Sequence, residues 1–131
     1  MNLLALVTEA LSSQGIPHAL VGGMALAAHG LARAMLDADV LVGRFAWQRA
    51  VIARASPVSL PTARIPVVGA ADLVLLKIFA GGPQDLVDAQ RLLATRDRSK
   101  IVSDVAARID ALPETCRQEW ERLKSTPLVN C

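Results

Sequence analysis

Aromatic residues are scarce in this chain of 131 residues: they make up 3% of it, and tyrosine is absent. Val, Leu, Ile and Ala must therefore fill any core. The apolar share of 53% is too high for a disordered chain. Excess charge of either sign is also lacking. Fourteen basic and twelve acidic side chains leave a net charge of +2, which argues against a protein that holds nucleic acid mainly by charge. Cysteine is limited to Cys116 and Cys131, whose separation is no metal-ligand spacing. A reduced, cytoplasmic setting is the expectation. This length suits one domain, or one domain with a helical appendage.

Charge is missing altogether from Ala10 to Ala32, a stretch nominally long enough to span a bilayer. Gly15, Pro17, Gly22, Gly23 and Gly30 interrupt it, and Ser12, Ser13, Gln14, His18 and His29 make it polar. No basic segment precedes the short apolar run Leu3–Val7, so neither an anchor nor a secretory signal is expected.

What is present is an ordered alternation. Apolar residues at 3, 4, 7 and 11 predict an amphipathic helix over 2–13. His18–Val21 predicts a short buried strand, Met24–His29 a short Ala-rich helix and Leu36–Val42 a second strand. A helix over 45–55 and a Pro-punctuated extended stretch follow. That stretch ends in Ile65-Pro66-Val67-Val68, where the prolines predict an edge strand. Residues 70–80, 84–95, 99–111 and 113–124 are predicted helices, the first apolar on nearly every face and so buried. The fold class is α/β (α+β): a short mixed sheet flanked by helices, with a C-terminal helical region. An α/β core over 1–80 and a helical region over 81–131 are expected to pack as one compact domain.

The chemistry-bearing pattern is Val21-Gly22-Gly23 followed by Leu36-Asp37-Ala38-Asp39-Val40. A glycine pair between strand and helix lets the backbone approach a ligand and aims N–H groups at phosphate oxygens. On a strand, residues two apart share a face, so Asp37 and Asp39 point together. Two adjacent carboxylates call for a cation between them, and Mg²⁺ with nucleotide phosphates suits such a pair.

These residues resemble the DNA polymerase β-like nucleotidyltransferase superfamily. More narrowly, the chain resembles its small prokaryotic members of abortive-infection and toxin–antitoxin type. The narrower likeness rests on Ala71-Asp72-Leu73-Val74-Leu75-Leu76-Lys77 and on Asp85-Leu86-Val87-Asp88. The resemblance implies that Asp37 and Asp39 are the catalytic and Mg²⁺-binding residues. It implies that Gly22 and Gly23 hold the phosphates of a nucleoside triphosphate, with Lys77 as a further nucleotide contact. The implied reaction is nucleotidyl transfer to an RNA or protein hydroxyl. The family's third carboxylate has no counterpart, because no acidic residue occurs between Asp39 and Asp72. The connection 43–71 is correspondingly short. That departure supports an alternative: a catalytically inactive module that kept the fold as a binding partner, in an antitoxin-type pair or a homo-oligomer.

Several side chains carry plainer readings. Lys77 equally suits a lysine that snorkels from a buried helix. Asp85 and Asp88 suit the start of a helix, where the dipole favours acids. Arg44, Arg49, Arg54 and Arg64 give the connection a charge of +4 with no acid, which could suit a nucleic-acid acceptor. Arginines five apart rotate around a helix, however, and no aromatic platform is read beside them, so a solvated helix is the expectation. His18 and His29 read as core or surface histidines, not catalytic ones, and Trp47 and Trp120 as core or interface anchors, not a base-stacking pair.

Overall fold

The computed structural model describes residues 3–31, 39–59, 64–95 and 97–126. It is a mixed α/β protein with seven helices and a four-stranded mixed sheet among those residues. The chain divides into two compact units, Met1–Gly69 and Ala70–Cys131.

In the first unit, α1 (Leu3–Ser13) leads through Gly15-Ile16-Pro17 into β1 (Ala19–Val21). Next come α2 (Gly23–Ala28), β2 (Asp39–Leu41), α3 (Ala46–Arg54), β3 (Ser56–Ser59) and β4 (Arg64–Val67). The sheet order is β2-β1-β4-β3, with β1 antiparallel to β2, parallel to β4, and β4 antiparallel to β3. Ala19, Leu20, Ile65, Val67 and Val68 are buried, and Ala25 and Leu26 of α2 with Val51 and Ile52 of α3 complete the core. Aliphatic side chains thus fill this interior, as the scarcity of aromatics requires.

The strand at 64–67 is not an edge strand: it lies between β1 and β3. Its proline is tolerated for a local reason. Val68 donates its N–H to Leu20 O at 3.2 Å. By alternation the missing N–H of Pro66 faces the same neighbour. The β1–β4 ladder there consists of one registered pair, Leu20↔Val67, so little is lost. Pro57 sits instead on the true edge, β3, paired with Pro66.

The second unit contains α4 (Ala70–Ala80), α5 (Pro83–Leu93), α6 (Arg98–Arg108), a 3₁₀ turn (Ile109–Ala111) and α7 (Glu114–Ser125). This unit begins with α4, which packs on α5, α6 and α7. Its all-round apolar surface explains this, with Ala71, Leu73, Val74, Leu75 and Ile78 all buried. On α7 the buried residues are Cys116, Trp120 and Leu123, the spacing of one helix face. The guanidinium of Arg98 ties two helix ends together, donating to Leu93 O and Lys124 O at 3.2 Å each. No helix among the described residues is long and apolar enough to cross a membrane.

Candidate functional site

The antiparallel register pairs Val21 with Asp39. Val21 is the last residue of β1, and Gly22 and Gly23 follow it directly. Directly opposed residues have Cβ atoms about 5 Å apart. Asp39 therefore begins its strand beside the glycine turn, and it is exposed. Gly22 adopts φ 82° and ψ −163°, a conformation restricted to glycine, and it serves as N-cap of α2. Gly23 is the first, buried residue of that helix. The sequence-derived trio Gly22, Gly23 and Asp39 is thus brought to one end of the sheet. Asp37 lies outside the described residues.

Lys77 belongs to the helical unit, and its partners there are carboxylates. Its Nζ lies 3.0 Å from Asp88 Oδ2 and 3.5 Å from Asp85 Oδ1. Asp88 is fully buried and also accepts from Gln84 Nε2 at 3.0 Å. Asp85 caps its own helix, accepting the Gly82 N–H at 3.2 Å. Asp72 of the same motif is buried and meets Arg108 Nη1 at 3.1 Å. The Ala-Asp-Leu-x-x-Leu-Lys and Asp-x-x-Asp elements accordingly form a polar framework across α4, α5 and α6. Groups of three or more His, Cys, Asp or Glu able to hold a metal are absent among the described residues.

Two further features of the first unit were not foreseen as sites. An open cavity of about 460 Å³ is lined by Ile16, His18, Ile52, Ala55 and Pro66 among others. His18 is 7% exposed; its Nδ1 is 2.9 Å from Ile16 O, while its Nε2 is buried without a partner. Since a carbonyl only accepts, Nδ1 is the donor in this contact. The second feature is the Arg44–Phe45 corner at the start of α3. Phe45 is 43% exposed, with the Arg44 guanidinium over its ring at 5.8 Å from the centroid. Treating 45–55 as one solvated helix hid this pairing; adjacent Arg and Phe just before the helix were the available signal.

Compared with models of known protein families the chain matches none, and no curated protein matches it.

Proposed function

We propose that this chain binds a magnesium–nucleoside triphosphate at the sheet end formed by Gly22, Gly23 and Asp39, and transfers the nucleotidyl group to an RNA or protein hydroxyl, the acceptor oxygen bonding to the α-phosphorus as the α–β phosphoanhydride breaks and pyrophosphate leaves. The single observation carrying this reading is the register that pairs Val21 with Asp39. It sets Asp39 beside the residue that leads into the glycine turn. The donor set fits the group: a glycine-only turn opening a helix suits phosphate oxygens, and an exposed carboxylate suits a hard cation. Asp39, with Asp37, would hold Mg²⁺, which supplies charge neutralisation on the phosphates when bound. The backbone N–H groups after Gly22 orient the triphosphate. A cytoplasmic setting accompanies this reading, since nucleotide and Mg²⁺ are both supplied there.

A second reading is favoured by one observation. Lys77, the cation that the resemblance assigns to the nucleotide, is paired with Asp85 and Asp88. A module that kept the fold and lost turnover, acting as an antitoxin-type or oligomeric partner, accounts for that pairing.

The test is calorimetric titration of the full chain with ATP, CTP, GTP and UTP, with and without Mg²⁺. Mg²⁺-dependent binding that disappears in the Asp37→Ala/Asp39→Ala double variant supports the site, and binding unaffected by that variant refutes it. Transfer of labelled nucleotide to added RNA or protein then separates the enzyme from the inactive module.

A further inference from the structure

The corner between β2 and α3 exposes an aromatic ring on a rigid support. Gly43 turns the chain with φ +80°, and an added Cβ there would lie 3.1 Å from Ile52 Cδ1 and 3.2 Å from Arg49 Cγ. Behind the turn, Gln48 is 8% exposed, and its Oε1 accepts from Arg44 N at 2.7 Å and Phe45 N at 3.2 Å. This buried amide fixes both backbone positions, so the exposure of Phe45 does not come from a loose loop. Arg49 then reaches back, donating from Nη1 to Arg44 O at 3.3 Å. Two guanidinium-bearing residues and a half-exposed ring converge on one corner.

The chain around this corner is devoid of opposing charge. No acidic residue occurs from Val40 through Ala71, and Arg44, Arg49, Arg54 and Arg64 all fall within that span. The apolar surface consists of Phe45 and Val42, both about half exposed. That is far short of the roughly 800 Å² each partner buries in a stable protein interface. An aromatic face with neighbouring guanidiniums instead matches the chemistry of a nucleobase and its flanking phosphates.

We propose that Arg44, Phe45 and Arg49 form a stacking platform for single-stranded nucleic acid, with a base on the Phe45 ring and phosphates on the two arginines. The platform is separate from the glycine turn. Asp39 pairs with the end of β1, whereas Leu41, nearer the corner, pairs with its beginning. Binding here needs neither a triphosphate nor a metal, and so stands or falls independently of the nucleotidyl-transfer reading.

The experiment is fluorescence anisotropy of the full chain with fluorescein-labelled oligouridylate and oligothymidylate of about twelve nucleotides, at low salt without nucleotide or Mg²⁺. Phe45→Ser weakens binding between about fivefold and a hundredfold, the range of one base-stacking contact, whereas Phe45→Tyr preserves it. Arg44→Gln and Arg49→Gln each lower the slope of log affinity against log salt by about one. These arginine variants decide the matter even should Phe45→Ser fail to fold. The proposal is overturned if the wild-type chain leaves both oligonucleotides unbound, or if affinity and salt slope survive these substitutions. Sedimentation adds a further refuting outcome: self-association that Phe45→Ser abolishes would make the corner a contact between copies.

Discussion

Lys77 and Asp88 form a buried ion pair, Nζ to Oδ2 at 3.0 Å, with Asp88 fully buried and the Lys77 side chain 15% exposed. The lysine stem lies along apolar α4, and the carboxylate comes from the second turn of α5. Removing one member of such a pair strands the other in a low-dielectric interior, which costs several kcal/mol. Lys77→Met is therefore expected to destabilise the chain by about 3 kcal/mol. The loss appears as a lower urea midpoint at unchanged slope. Adding Asp88→Asn to Lys77→Met recovers part of it, because the buried charge is then gone. A lysine serving only a triphosphate would instead lose nucleotide affinity at unchanged stability.

Gly22→Ala tests the turn. At φ 82° and ψ −163° a Cβ-bearing residue is strained, by about 2 kcal/mol. The backbone relieves this only by rotating the first N–H groups of α2 away from their direction. The expected outcome is a lower thermal midpoint together with loss of Mg²⁺-dependent nucleotide binding. Gly30→Ala, also at positive φ but with no atom within 4 Å of the added Cβ, serves as a control. It carries a backbone penalty of the same kind while nucleotide binding is retained.

Much of this architecture was legible in the sequence, and the gaps have physical causes. The helices of the second unit announce themselves by periodicity and by Gly82-Pro83, which closes one and opens the next. The glycine turn and its neighbouring strand are local patterns, so both were found. Pro66 misled because a proline's effect depends on which neighbour its nitrogen faces, and that follows from pairing, not composition. Lys77 was ambiguous because its partners arrive through the fold-back of α5 onto α4. Phe45 escaped notice because a helical wheel treats it as part of α3, although it sits before the first turn.

Cys116 offers a chemical check on packing. It is 7% exposed, and burial pushes its thiol above the usual range, partly offset by a hydrogen bond with Thr115. The thiolate is the reactive form, so Cys116 is expected to resist iodoacetamide in the native chain and react once denatured. Peptide mapping distinguishes it from Cys131. A folded-state value above the unfolded one leaves this group's contribution intact below the unfolded value. The contribution is lost as pH rises toward the folded value, so stability declines on the alkaline side. Cys116→Ala is expected to remove that part of the decline in a series of urea melts.

The histidine at the start of β1 has a fixed tautomer to report. With Nδ1 held at 2.9 Å from Ile16 O, the neutral ring must carry its proton on Nδ1. Long-range ¹H–¹⁵N spectra are expected to show the Nδ1–H form for His18, against the Nε2–H form usual in free histidine. His18→Asn, too short to span both environments, is expected to lower the thermal midpoint. Observation of the Nε2–H form would mean that the ring is turned over and that Nδ1 does not donate to Ile16.

Gln48 connects the stability of α3 to the surface it displays. One side-chain oxygen satisfies the N–H groups of Arg44 and Phe45. Gln48→Ala leaves both without it and is expected to cost about 1 kcal/mol, the usual scale of a lost helix cap. The effect should be local. Amide exchange is expected to speed up at Arg44 and Phe45, while Val51 and Ile52, buried in the body of α3, keep most of their protection. The Phe45 ring would then be displayed from a mobile corner. Oligonucleotide affinity should fall because ordering that corner becomes part of the binding free energy, although no contacting group has been removed. Gln48→Glu separates charge from geometry: it keeps an oxygen on the two N–H groups and is expected to retain most of the exchange protection. Equal protection in Gln48→Ala and wild type would show that the corner is held by other contacts.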